Sequence, residues 1–219
     1  MELKGKKIGF LGDSITEGVG VSDPKNLYWQ RIATETGAEC FGYGISGTRI
    51  APQLGVVEIV NREDNYFGSR VDDMRPDLDV IVIFGGSNDF GHGTAPIGAI
   101  TDRTLGTFYG AYHLLLLKVI ERYPEAQIVV MTPLHRETED EPVYVPLQLR
   151  RVGKLSDYAQ AIRDVAEFYG VPVVDLYRNC MIQPRVPILK EKYTPDGLHP
   201  NDAGQKLIAN CVLGVLKQL

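Results

Sequence analysis

The chain has 219 residues, with 23 Lys plus Arg against 28 Asp plus Glu and a formal charge of −5. That length suits one α/β domain, so residues 1–219 are expected to share a single core, and with no basic stripe or run of like charges, nucleic acid is not an expected partner. Cys40, Cys180 and Cys211 are odd in number and lack CxxC spacing, which points to free buried thiols in a reducing compartment, cytoplasmic by expectation, rather than to a disulfide framework.

Met1 to Lys7 carries no apolar signal core, and the apolar runs are too short to span a bilayer, so no membrane association is expected. Lys7 to Leu11 reads as the first strand. A helix from Asn26 to Glu35 follows, burying Trp29 and Ile32, and Glu39 to Tyr43 reads as the second strand. From Gly47 to Asp77 the pattern dissolves into loop, and Val80 to Phe84 is the third strand. Leu105, Phe108, Tyr109, Tyr112, Leu115, Leu116 and Val119 recur at helical steps, so Tyr109 and Tyr112 read as packing residues rather than a sugar platform. Gln127 to Met131 is the fourth strand, and Pro133 to Arg151 reads as a second loop. Val152, Leu155, Ala159, Ile162, Ala166 and Tyr169 mark a helix stopped by Gly170 and Pro172. Val171 to Leu176 is the fifth strand. Leu207, Cys211 and Val215 give the last helix its face, after Asn201 or Asp202 as cap. Short apolar runs alternating with helices predict a mostly parallel sheet covered on both faces.

The chemistry gathers at strand ends, where open α/β sheets bind ligands. Ser14, in Gly12-Asp13-Ser14-Ile15-Thr16, directly follows the first strand and is a candidate nucleophile. Asp196-Gly197-Leu198-His199 offers a base in His199 and, in Asp196, a carboxylate to fix its tautomer, completing the order Ser, Asp, His. With His199 as base, activity is expected to fall as pH drops through the histidine's titration. Read alone, Ser14 is a helix cap or turn residue, and Asp196-Gly197 is good turn chemistry. Oxyanion donors are available from the Asn88 side chain in Gly85-Gly86-Ser87-Asn88-Asp89 and the Gly47 amide in Gly42-Tyr43-Gly44-Ile45-Ser46-Gly47.

Four further residues are weaker candidates. Asp13 adjoins the nucleophile, and Asp89 beside Asn88 serves either substrate or a turn. His92 lies just beyond, as a pocket residue or a solvated loop histidine, and Arg49 stands two positions past Gly47, as a contact to an acidic or hydroxylated substrate or as a surface ion pair. His113 and His135 form no metal-like pair, so no metal or other cofactor is expected. The glycine stretch also matches GxGxxG, but Pro52 and Gly55 interrupt the helix that a dinucleotide site requires. No P-loop occurs, and Thr16 stands where a G-x-S-x-G elbow needs its last glycine.

Gly12-Asp13-Ser14, Gly47, Gly86-Ser87-Asn88-Asp89 and Asp196-Gly197-Leu198-His199 together resemble the four blocks of the SGNH, or GDSL-like, hydrolase family, in order and across nearly the whole chain. The first block continues Ile15-Thr16 rather than with the Leu of the name motif, and Tyr43 stands near the place where the second block often has Asn. The resemblance implies a flavodoxin-like three-layer α/β/α sandwich with a central five-stranded parallel sheet. It also implies a Ser-His-Asp site with an oxyanion hole from the amides of Ser14 and Gly47 and the side chain of Asn88. Substrates implied by the family are small-molecule esters, and polar and aromatic loops tilt the expectation toward short acyl groups such as acetyl on a sugar. A lysophospholipase or thioesterase is the alternative enzyme, and a noncatalytic carbohydrate- or nucleotide-binding domain the alternative class.

Overall fold

The computed structural model describes residues 1–53, 65–140 and 153–219. The strands are β1 (Lys7–Gly12), β2 (Glu39–Gly44), β3 (Val80–Phe84), β4 (Gln127–Met131) and β5 (Val173–Val174), all parallel, in the spatial order β2-β1-β3-β4-β5. This is the flavodoxin-like order, in which the direction of winding reverses at β1 and leaves a crevice at its carboxyl end, beside β3. Gly12 pairs with both Gly44 and Phe84, so the three strands that feed the crevice end level with one another.

Side chains alternate across a strand and so sort the sheet into two faces. Leu11, Ile81, Ile83 and Val130 pack beneath α5 (Phe108–Arg122) and α6 (Leu155–Tyr169). Phe10, Val82, Phe84 and Met131 face the other way, against α2 (Tyr28–Thr36) and α9 (Asp202–Leu216). Shorter helices cluster at the carboxyl edge: α1 (Ser14–Glu17), α3 (Phe67–Arg70), α4 (Ser87–His92), α7 (Leu176–Asn179) and α8 (Pro187–Tyr193). Among the described residues no helix is long and apolar enough to cross a membrane.

Several boundaries shift. The first long helix begins at Tyr28, and Tyr28 rather than Trp29 is its buried aromatic, standing edge-on to Phe10 and Phe84 with ring centroids 5.4 and 6.2 Å away. Trp29 is half-buried, and its ring nitrogen donates to the Thr16 carbonyl at 3.0 Å. The fifth strand shrinks because Asp175 caps α7 through the Arg178 N–H and ends the run four residues after Val171. α5 starts at Phe108, capped by Thr107, which leaves Leu105 exposed. Asn201 caps α9, whose buried face is Gln205, Ile208, Val212 and Leu216, with Leu207, Cys211 and Val215 on its flank. The expected loop after Gly47 contains α3. All three cysteines are free thiols, but only Cys180 is fully buried. Val152 and Gly55 lie outside the described residues.

Candidate active site

Ser14 is the first residue of α1, immediately past the end of β1. Asp13 turns the chain there, its carboxylate accepting the Ile15 N–H at 3.0 Å. The Ser14 hydroxyl lies 3.0 Å from His199 Nε2, across a separation of 185 residues, and His199 Nδ1 lies 2.7 Å from Asp196 Oδ2. A carboxylate at Nδ1 calls for the proton on that nitrogen, which leaves Nε2 free to accept from the serine. The other Asp196 oxygen accepts the backbone N–H groups of Leu198 and His199 at 2.9 and 2.7 Å, so the turn orients its own histidine. Burial would raise the Asp196 carboxyl, but the bonds from Leu198 and His199 outweigh it and hold the group below its ordinary value.

Gly47 and Asn88 flank this arrangement. Gly47 adopts φ +76°, a left-handed turn that a side chain would strain. Neither its N–H nor that of Ser14 has a partner among the described residues. Asn88 donates one amide hydrogen to the Thr48 carbonyl at 2.9 Å, which fixes the group and leaves its second N–H available. Gly47, Ser14 and Asn88 thus come from the ends of three adjacent strands, with Ser14 in the middle.

The weaker candidates divide differently. Asp13 is spent on capping, and burial lifts its pKa to about 6. Both oxygens of Asp89 are taken by the N–H groups of Ile50 and Ala51, at 2.9 and 2.8 Å, so it is a structural acceptor rather than a substrate contact. Burial raises it too, to about 6. Arg49 is 2% exposed and so is no surface ion pair; it donates to the Gly47 carbonyl at 3.2 Å and lies 3.0 Å from His92 Nδ1. His92 ends α4, half-buried against Arg49, not solvated in a loop. His113 is buried, within reach of the Ile100 carbonyl and the Tyr169 hydroxyl, and His135 lies 2.7 Å from Glu139. Tyr112 is buried as expected, whereas half-buried Tyr109 donates to Asp164 at 2.6 Å.

Other residues that sequence reasoning missed hold the site together. Arg70 donates to the carbonyls of Tyr43 and Gly12 and to the Thr48 hydroxyl, at 2.8, 3.0 and 3.1 Å, which clamps the ends of β1 and β2 to the Gly47 turn. Glu17 accepts from the N–H and hydroxyl of Ser46. Gln205 accepts the Tyr28 N–H at 2.9 Å and donates to the Ile15 carbonyl at 3.1 Å. For Gln205 a signal existed, because it shares a helical face with Ile208, Ala209 and Val212 at spacings of three, four and seven. A groove of about 430 Å³ between α3 and α5, lined by Tyr66, Leu115 and Lys118 among others, shares no residue with the candidate site.

The profile of the GDSL-like Lipase/Acylhydrolase family matches residues 10–207, from within β1 into α9. One solved structure superposes with a TM-score of 0.84 at 30% identity, over 100% of this chain and 99% of that chain. A protein from Lactobacillus plantarum superposes with a TM-score of 0.81 at 29% identity, covering 98% of each chain. An acetyl xylan esterase, AlAXEase, shares the fold with a TM-score of 0.63 at 22% identity, over 96% of this chain and 99% of that one. No curated protein matches the chain by sequence.

Proposed function

The chain belongs to the GDSL-like lipase/acylhydrolase family, and from that premise we propose that it is a serine esterase that works through an acyl-enzyme on Ser14. The contact that carries the proposal is Ser14 Oγ to His199 Nε2 at 3.0 Å, with Asp196 on the opposite nitrogen of the same ring. Serine is a weak nucleophile unless a base takes its proton as it attacks, and here the base is in place before substrate arrives.

Ser14 Oγ attacks the ester carbonyl carbon while its proton passes to His199 Nε2. The negative charge that forms on the carbonyl oxygen is met by the N–H groups of Ser14 and Gly47 and the Asn88 amide. Donors fixed in advance lower the barrier because they need no reorganisation when the charge appears. Collapse of the tetrahedral species breaks the bond to the alcohol, which leaves with the proton from His199. Water then attacks the acyl-enzyme, with His199 again as base, and releases the carboxylic acid and free Ser14. Asp196 keeps the imidazole in the working tautomer and stabilises its charged form.

The alcohol is a sugar and the acyl group short, acetyl first. Support comes from the shared fold of AlAXEase, an acetyl xylan esterase, and from polar residues around the site. We further place the activity in one catalytic domain spanning 1–219 and in the cytoplasm, where free thiols persist. The test is intact-mass spectrometry after treatment with a small fluorophosphonate, which needs no knowledge of the substrate. One adduct on the native chain, absent from Ser14→Ala, is the expected result. An adduct that survives in Ser14→Ala, or none on folded native protein, refutes the assignment.

A further inference from the structure

Arg136 lies between the start of α4, which carries Asn88, and the turn that carries His199. On one side its Nη1 donates to the Ser87 carbonyl at 3.2 Å, one residue before Asn88, and the guanidinium carbon stands 5.4 Å from the centroid of the Phe90 ring. Gly91 allows this close approach to α4, since a Cβ there would lie 2.9 Å from Nη1. On the other side the next residue, Glu137, donates its N–H to the Gly197 carbonyl at 2.8 Å, inside the turn that holds Asp196 and His199. Arg136 is thus strapped to both walls of the crevice.

Its charge has no counter-ion among the described residues. Among the described residues the guanidinium makes a single hydrogen bond, to a neutral carbonyl, and its Nε is buried with no partner. The two N–H groups of Nη2 are taken up by no described residue, and unlike Nε that atom is not fully buried. Other arginines are paired with carboxylates: Arg163 lies 2.8 Å from Asp175, Arg185 2.5 Å from Asp140 and Arg75 2.5 Å from Asp77, whereas half-buried Arg31 and exposed Arg103 donate, among the described residues, only to neutral oxygens from positions that water reaches. Burial lowers the pKa of Arg136, partly opposed by the charge of Asp196. A cation drawn out of water without an anion is costly to hold. Here it is held one residue from Asn88 on one side and one residue from the contact to the His199 turn on the other, and its planar fork is the geometry that matches a carboxylate.

We propose that Arg136 recognises a carboxylate on the substrate, so that the ester cleaved at Ser14 is carried by an acidic molecule, such as an acylated uronic acid. This rests on the esterase reading of Ser14 and narrows its substrate class. A purely structural Arg136, propping the Ser87 carbonyl and stacking on Phe90, would affect neutral and acidic substrates alike.

The experiment compares kcat/KM for a matched pair, mono-O-acetyl glucuronate and mono-O-acetyl glucose, on the native enzyme, Arg136→Gln and Arg136→Lys, with fluorophosphonate labelling of Ser14 run on each. The native enzyme is expected to favour the acidic member by about tenfold or more, the size of one charge-assisted hydrogen bond. Arg136→Gln removes that preference, Arg136→Lys keeps part of it, and added salt erodes it in the native enzyme. No acidic preference in the native enzyme overturns the proposal with no variant needed, as does an unchanged ratio in Arg136→Gln. Labelling of Ser14 without charge preference refutes the role of Arg136 alone, whereas no labelling of Ser14 refutes the esterase reading with it.

Discussion

Replacing Asp13 with Asn should make the protein's stability less sensitive to pH. Asp13 is enclosed between β1 and α1, and burial lifts its pKa from 3.8 to about 6, against the lowering effect of the Ile15 N–H and the charges of His199 and Arg70. The folded carboxyl therefore holds its proton more tightly than the unfolded one. Its stabilising contribution is complete below the unfolded pKa and is lost as pH rises through the folded one. A shift of about two units corresponds to about 3 kcal/mol, of which about 2 kcal/mol falls between pH 4.5 and 7.5. Asn keeps an oxygen to accept the Ile15 N–H and cannot ionise. The stability of Asp13→Asn relative to native should thus rise by about 2 kcal/mol from pH 4.5 to 7.5. Urea unfolding of both proteins at both pH values measures it, and taking the difference of differences cancels the other titrating groups. A difference that stays flat or falls with pH refutes the reasoning.

Asn88→Ala should lower kcat by about 10²–10³ with KM changed far less, because its amide serves the charge that develops in the transition state. Steady-state kinetics on an activated acetyl ester decides this, and a loss confined to KM would assign Asn88 to ground-state binding. Gly44→Ala should destabilise the fold by about 1–3 kcal/mol and slow fluorophosphonate labelling of Ser14. A Cβ there would lie 2.6 Å from the Thr16 carbonyl carbon and closer still to the Glu17 nitrogen, forcing α1 off the end of β2. An unchanged melting temperature would show that this contact is not tight.

β1, β3 and β4 were legible because each is a short apolar run buried on both faces, and four of the five strands, partly buried edge strand β2 included, agree with the reading to within one residue at either end. The fifth failed because Asp175 caps a helix inside what reads as a strand. Ser14, Asp196, His199, Gly47 and Asn88 could be singled out as candidates because each sits in a short block at a strand end or turn. The supporting residues were not. Arg70 lies in a stretch with no periodicity, and its three acceptors come from three different segments. Arg49 reads as a surface cation until the fold closes over it. Trp29 was expected to be buried with Ile32, yet Tyr28 takes the place because its hydroxyl reaches Thr16 Oγ1 at 2.9 Å while its ring fills the gap between Phe10 and Phe84.

The contact between Ser14 and His199 joins the two ends of the chain, and no local structure holds both. The two residues approach because α9 packs on the same sheet face as α2, and Gln205 converts that packing into registry. Its amide links the Tyr28 N–H on α2 to the Ile15 carbonyl on α1, so a shift of α9 along the sheet breaks two buried hydrogen bonds. A lost bond that strands a buried partner costs about 1–3 kcal/mol. Asn201 fixes the start of the same helix by accepting the N–H groups of Ala203 and Gly204. His199 stands two residues before that cap. The position of His199 relative to Ser14 therefore depends on a buried glutamine that touches neither of them.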